Sequence, residues 1–418
     1  MNCIIISTGD ELISGLTVNT NAAWLSEQLA QMGIGCSAQI TVGDNRKALA
    51  NAIIRASGES ELLLVTGGLG PTEDDLTRAA LADALDEMLV EDTQAILWIE
   101  NFFRRLNRIM PLSNRVQTFR PESAECVENT CGTAPGLIAK KGTTTIYAMP
   151  GVPREMKAMF QKSITPLLAD QSTGKITRVL RLNTFGAGES WIGEKIADLM
   201  QRGANPTIGT TVHEGIVSIR IYATGRPQEV EEMIITARRQ IQERLGSLIF
   251  SKDQSALEQV LAVMFTESRQ TISTAESCTG GLAAQLLTNV PGSSKYFLRG
   301  WVTYSNTAKK EDLGVASDLL NHYGAVSEQV AQAMAFGAKQ RAKSDWAIGI
   351  TGIAGPDGGT PEKPVGLVYI AVAGPDQIYV RRCLFPGDRA GIRGRAALMA
   401  LTLLRFKMLG LNPDEILP

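Results

Sequence analysis

The sequence predicts an α/β protein: two three-layer α/β domains with mostly parallel sheets, joined by a small α+β module. The prediction rests on an alternation of short aliphatic runs with helical patterns in residues 1–169, a polar glycine-containing break after it, and a restart of the same alternation near residue 255. Such alternation reads as βαβ units, whose sheets are covered by helices on both faces. A chain of 418 residues also exceeds what one hydrophobic core usually serves, so two or three domains are expected.

In the first domain, residues 1–169, the strands are CIIIS, SAQITV, ELLLVTGG and TTTIYAMPG, interleaved with helices such as TNAAWLSEQLAQMG and RKALANAIIRASGE. DQSTGK, residues 170–175, is the first linker; the Ser172-x-x-Lys175 spacing it contains has no pocket to act in. The connecting module, residues 176–252, reads as the strand TRVLRLNTFG, the helix ESWIGEKIADLMQRG, a hairpin turning at Glu214-Gly215 and the helix PQEVEEMIITARRQIQERLG. The last domain, residues 255–418, opens with the helix SALEQVLAVMFTESRQ and the strand TISTA. Its later strands are FLRGWVTYS, DWAIGITG, VGLVYIAVAG and QIYVRRCLF, with helices between them, and RAALMALTLLRFKML closes the chain. No internal repeat or low-complexity tract is evident.

Composition excludes several classes of function. Hydrophobic residues at 44% and charged residues at 20% are ordinary for a soluble globular chain, which argues against disorder and against a membrane partner. A net charge of -2 provides no global basic field, so no nucleic-acid partner is expected. The N-terminus lacks both a basic lead-in and a long apolar run, so a cytoplasmic protein is expected. Six cysteines without a C-x-x-C pair argue against a disulfide framework and a zinc site, and most read as small buried hydrophobes. With only His213 and His322 present, mechanisms needing several imidazoles are disfavoured, and His213 reads as a hairpin residue.

Two polar loops follow strands of the first domain: GDELISGLTVNTN at 9–21 and TGGLGPTEDDLT at 66–77. Gly67, Gly68 and Gly70 let backbone N–H groups converge on an anion before a helix, a fit for phosphate or pyrophosphate. Glu73, Asp74 and Asp75 lie just beyond and would repel a phosphate unless a divalent cation bridged them. The alternative is that Asp74 or Asp75 caps the helix DLTRAALADAL. Asp10 and Asp44 are further candidates for a metal site.

The last domain presents AESCTGG at 275–281, where Gly280 and Gly281 give a sharp strand-to-helix turn its freedom. Ser277 in that turn is either a helix N-cap or a nucleophile. A nucleophile needs a base and a charge stabiliser. Lys309 in YSNTAKK (304–310) supplies an amine whose partial burial would favour the neutral, proton-accepting form. Thr351 in GITGIAGPDGG (349–359) sits among glycine amides able to hold an oxyanion. Cys278 is a rival nucleophile.

GDELISGLTVNTN, TVGDN, TGGLGPTEDDLT, NTCGTAPG and AMPGVPREM, in this order, resemble the N-terminal part of the CinA (competence/damage-inducible) family, which is similar in fold to molybdopterin-binding proteins. The resemblance implies an ADP-ribose or related nucleotide pocket at Gly67, Gly68, Gly70 and Thr72. It further implies a divalent cation, Mg²⁺ or Co²⁺, at Asp44, Asp74 and Asp75 and a metal-dependent ADP-ribose pyrophosphatase. The C-terminal stretches, with FPGDRAGIR at 385–393, resemble the nicotinamide mononucleotide amidohydrolase family. That resemblance implies Ser277 as nucleophile, Lys309 as base, and Tyr304 and Thr351 as supporting or oxyanion-stabilising groups. Thr279, Gly280, Gly281 and Gly352 would line the substrate pocket, with Arg393 on the phosphate and no cofactor. The family also carries GAGES (186–190) and NPTIGTTVHEG (205–215), to which we assign only a connecting or dimer-organising role in an expected homodimer. The alternative function is a non-catalytic nucleotide sensor or competence-associated protein.

Overall fold

A computed structural model describes residues 1–169, 174–251 and 255–418. Most of the predicted linker, including Ser172, lies outside the described residues. Two compact units are present, one of residues 1–178 with 223–232 and one of 179–222 with 233–418.

The first unit contains a six-stranded sheet in the order Gly35–Val42, Asn2–Thr8, Leu62–Thr66, Thr144–Met149, Gly136–Lys141, Glu125–Val127. The first four strands run parallel; Gly136–Lys141 runs against them, and Glu125–Val127, antiparallel to it, runs with them again. Strand alternation splits the aliphatic runs between two cores. Ile4, Ile6, Leu63 and Val65 pack with Leu49 and Ile53 of helix Arg46–Glu59 on one face. Cys3, Ile5, Leu62 and Leu64 pack with Leu25 and Leu29 of helix Thr20–Gln31 on the other. Both polar loops therefore leave the carboxyl ends of parallel strands, where ligands of such sheets sit. The antiparallel pair escapes the periodicity reading, and its direction is set by the short turn at Gly142 between Lys141 and Thr144.

A four-stranded sheet follows, in the order Thr207–His213, Ile216–Gly225, Ile176–Thr184, Ile249–Ser251. Its hairpin turns at Glu214 and Gly215, both at positive φ (51° and 85°), the geometry that matches strand twist. His213 ends the exposed edge of that hairpin, opposite Ile216.

The third sheet has the order Phe297–Val302, Ile272–Glu276, Trp346–Gly352, Leu367–Ala373, Ile378–Leu384. Two pairings are parallel and two antiparallel, so this sheet is mixed, which corrects the mostly parallel arrangement predicted for it. Loops, not helices, join its last three strands; residues 374–377 are far too few for a parallel crossover. Helix Glu328–Ala342 covers one face, placing Ala331, Met334, Ala335 and Ala338 against Ala275, Ala347 and Ala371. Gly349 permits that approach, since a Cβ there would lie 2.4 Å from the Ala331 carbonyl oxygen. Helix Arg389–Met408 packs on strands Trp346–Gly352 and Leu367–Ala373 and against helices Leu257–Ser268 and Leu282–Thr288. Its buried Arg405 donates to the carbonyls of Ser247 (2.8 Å) and Ile249 (3.0 Å). No helix of the described residues is long and apolar enough to cross a membrane.

Candidate active site

Ser277 leaves the end of strand Ile272–Glu276 at the middle of three converging strand tips. Its N–H donates to the Ile350 carbonyl (3.0 Å), and the Thr303 N–H donates to the Glu276 carbonyl (2.8 Å), so the three tips are held together. Lys309 lies on helix Asn306–Leu313, whose first turn is capped by the Ser305 hydroxyl accepting from the Ala308 N–H at 3.0 Å. The Lys309 side chain returns to the strand tips and is only 1% exposed; Ser277 is 9% exposed. Its Nζ lies 3.1 Å from Ser277 Oγ, 2.8 Å from the Thr303 carbonyl and 3.3 Å from the Tyr304 carbonyl. Burial pushes the Lys309 pKa below the ordinary lysine range, opposed by the neighbouring Cys278 sulfur. A neutral amine can give its two hydrogens to the two carbonyls and turn its lone pair to the Ser277 hydroxyl, the arrangement an activated nucleophile requires.

The capping alternative for Ser277 is overturned by its neighbour. Helix Leu282–Thr288 begins at Gly281 (φ 97°), which offers no side chain. The wholly buried Glu276 carboxylate accepts instead from the N–H groups of Gly281 (3.0 Å), Ala283 (3.1 Å) and Ala284 (2.8 Å). Those amides are otherwise the orphan donors of a helix start. With Glu276 serving them, the Ser277 hydroxyl is left to Lys309.

Arg393 clasps the turn, donating through Nε to the Cys278 carbonyl (3.1 Å) and through Nη2 to the Thr279 carbonyl (2.8 Å); its Nη1 is left for an anion. Gly280 sits at φ 60° beneath that guanidinium, where a Cβ would lie 3.1 Å from Nη2. The Thr351 hydroxyl is committed to the Ala325 carbonyl (2.7 Å), so its hydrogen is not aimed at a developing oxyanion. Gly352 meets a packing need, since a Cβ would come 2.7 Å from the Leu367 carbonyl oxygen. Tyr304 is exposed, and its hydroxyl accepts from Arg389 Nη2 (2.8 Å), while Arg389 Nη1 donates to the Gly355 carbonyl (2.7 Å). Among the described residues the buried Thr279 and Thr303 hydroxyls have no partner.

Sequence reasoning missed Arg389 although FPGDRAGIR contains it, one helical turn before Arg393 and so beside it. It also missed Glu276 and the backbone N–H groups of Cys278 and Thr279, for which no oxygen acceptor is found among the described residues. Cys278 itself is buried, and burial pushes its thiol up to about 11. A thiol is not a thiolate nucleophile, so iodoacetamide at neutral pH is expected to leave Cys278 unmodified by mass spectrometry, and Cys278→Ala to leave activity unchanged.

The first unit holds a cleft of about 400 Å³ that gathers Gly67, Gly68, Gly70, Asp44, Asp74 and Asp75, with Glu11 and Glu155 as acidic walls that sequence reasoning had not singled out. Thr72 is not part of its lining. Thr72 donates through its N–H (2.9 Å) and hydroxyl (2.6 Å) to Asp75, whose other oxygen accepts from the Gly70 N–H (2.7 Å). Asp75 thus closes the loop on itself and caps no helix; helix Thr77–Leu85 has no side-chain cap at its start. Buried Arg78 completes the loop by donating to the Leu69 (2.7 Å) and Gly70 (2.5 Å) carbonyls, and burial pushes its pKa down to about 10. Asp44 and Asp10 each accept the other's backbone N–H, at 3.0 and 2.9 Å. Among the described residues no group of three or more His, Cys, Asp or Glu is placed to hold a metal ion. Asp44, Asp74 and Asp75 therefore share a cleft without forming a ligand cage, and a hard cation would fit only as part of a phosphate complex that supplies most of its oxygens.

A buried serine and lysine at the tips of one α/β sheet, and an acidic, glycine-lined cleft at the strand ends of another, are the two candidate sites of an α/β protein. Comparison with known families divides the chain in the same sense. Residues 4–170 match the family described as "probable molybdopterin binding domain", residues 177–251 the damage-inducible protein CinA KH domain, and residues 254–408 the CinA C-terminal domain. A competence-damage inducible protein of Caldanaerobacter subterraneus subsp. tengcongensis is 43% identical over 411 residues, covering 98% of this chain and 99% of the relative. One from Clostridium beijerinckii is 41% identical over 407 residues, covering 97% and 99%. Among solved structures, competence/damage inducible protein CihA from Agrobacterium tumefaciens is 43% identical and covers 36% of this chain and 92% of its own, with a TM-score of 0.35. The chain belongs to the CinA family of competence-damage inducible proteins.

Proposed function

We propose that the C-terminal site hydrolyses the carboxamide of nicotinamide mononucleotide to nicotinate mononucleotide and ammonia. The observation that carries this reading is the buried Lys309 Nζ at 3.1 Å from Ser277 Oγ. Lys309 takes the hydroxyl proton as Ser277 Oγ attacks the carboxamide carbon, and the oxyanion forms beside the N–H groups of Cys278 and Thr279. The Lys309 ammonium then protonates the departing nitrogen, which leaves as ammonia. Water, giving its proton to the regenerated amine, attacks the acyl-serine, and the acid and free serine are released. None of these steps calls on a cofactor.

For the N-terminal cleft the proposal is binding of ADP-ribose or a related nucleotide together with Mg²⁺ or Co²⁺, its pyrophosphate on the Gly67–Gly70 amides, and metal-dependent cleavage of that pyrophosphate. Nucleotide sensing without cleavage is the second reading there, favoured by the absence of a ligand cage among the described residues. Asp75→Ala is expected to weaken ADP-ribose binding by about tenfold or more in calorimetric titration, because the loop loses charge-assisted hydrogen bonds worth roughly 1.5–3 kcal/mol each.

The same reading includes a cytoplasmic homodimer acting on small nucleotides, without membrane or nucleic-acid partners. KH modules clamp nucleic acid with a Gly-x-x-Gly loop. No two glycines of residues 177–251 stand three apart. The amidohydrolase proposal is tested by ammonia release from nicotinamide mononucleotide: turnover by the wild type that disappears in Ser277→Ala supports it, whereas equal turnover by both, or none by the wild type, overturns it.

A further inference from the structure

A second cavity in the same unit, about 560 Å³, lies behind the Ser277 turn, and neither Ser277 nor Lys309 lines it. Its size is that of a small-molecule site. Leu282 and Leu286 form an apolar wall, Arg393 and Arg395 bring two guanidinium groups, and Glu214 and Glu258 bring two carboxylates. Glu214 comes from the hairpin tip of the middle sheet and Glu258 from helix Leu257–Ser268, so the cavity exists only where the module and the last sheet meet in one chain.

Two parts of the wall bear on the catalytic turn. Leu282 and Leu286 belong to the helix whose first amides are held by Glu276. Arg393 binds the carbonyls of Cys278 and Thr279, the two residues after Ser277. Arg395 is tied at Nη1 to the Pro386 carbonyl, which leaves Nε and Nη2 for another acceptor. An occupant of this cavity therefore touches both devices that place the nucleophile.

We propose that this cavity is a regulatory site for a nucleoside monophosphate. The phosphate pairs with Nε and Nη2 of Arg395, a geometry that the planar guanidinium fork suits, while Arg393 forms the wall toward the turn. The base lies against Leu282 and Leu286, while Glu214 and Glu258 accept from ribose hydroxyls or an exocyclic amine. Binding stiffens the 278–284 turn and helix start. The regulatory meaning rests on Ser277 being the reactive centre; the binding site does not.

AMP, which has no carboxamide to hydrolyse, is the probe, used on the full chain. In crystals grown with saturating AMP, the nucleotide is expected in this cavity. In solution, hydrogen exchange of the amides of Gly281, Ala283 and Ala284 is expected to slow several-fold. Leu286→Trp, which fills the cavity, should remove the slowing, and Arg395→Ala, which leaves the apolar wall intact, should weaken it about tenfold in AMP concentration. An empty cavity with AMP bound elsewhere, or exchange at these amides that AMP leaves unchanged, overturns the proposal. Both readouts are independent of ammonia release, so failure of the amidohydrolase reading is recognised separately.

Discussion

Replacing Lys309 with methionine is expected to lower kcat for ammonia release by about 1,000-fold, the middle of the range for losing a positioned general base. Methionine fills most of the space of the buried lysine stem without a proton-accepting nitrogen, so the fold should survive while the Ser277 hydroxyl loses the amine at 3.1 Å. The pH profile gives a second reading of the same residue. The neutral amine is the base, so wild-type kcat/KM should rise with pH through the lowered Lys309 pKa and then level off below the ordinary value of 10.5. Stability has the same sign: between those two pKa values the unfolded chain holds a proton that the native chain lacks, so the Lys309 contribution increases with pH across that window. A profile that is flat through that region, or a Lys309→Met variant with near-normal kcat, would remove Lys309 from the mechanism.

The second large effect is expected at Glu276. In Glu276→Ala three buried or half-buried N–H groups, those of Gly281, Ala283 and Ala284, lose the only acceptor that they have among the described residues. An unsatisfied buried donor costs about 1–3 kcal/mol, so a total loss of about 3 kcal/mol or more is expected even if the helix start relaxes. Thermal denaturation should show it as a fall of roughly 6–12 °C in the unfolding of the C-terminal part. Glu276→Gln should be intermediate, since the amide keeps one acceptor oxygen but turns an NH₂ toward backbone donors. In both variants kcat should fall with little change in KM, because the residue shapes the turn that carries Ser277 without touching substrate. A variant with unaltered melting temperature would show that the carboxylate does not cap the helix.

The parts of this molecule that were legible in the sequence are those governed by short-range pattern. Residues 3–7 and the run Leu62–Thr66 are fully buried strand, and an aliphatic run bounded by glycine and polar residues has few other options. The Glu214-Gly215 turn was equally legible, because only a few residues accept two successive positive φ values. Direction of pairing was less so: the last sheet turned out mixed because connection length, not strand composition, decides between parallel and antiparallel. Around Ser277 the residue types were readable but their obligations were not. A carboxylate that serves amides five to eight positions later is invisible to capping rules, which look within three. Asp75 misled in the opposite way, standing where a cap would stand while bonding back into its own loop. The Thr351 hydroxyl is held by Ala325, a contact made across 26 positions that no local pattern announces.

Glu276 and Ser277 are consecutive, and the pleat sends consecutive side chains to opposite sides of the strand tip. One faces inward as scaffold and the other outward as reagent. Adding or deleting a single residue within Ile272–Glu276 would exchange them, pointing an acid at the amine and a hydroxyl at the helix. Evolution can therefore vary the chemistry of this short strand more freely than its length.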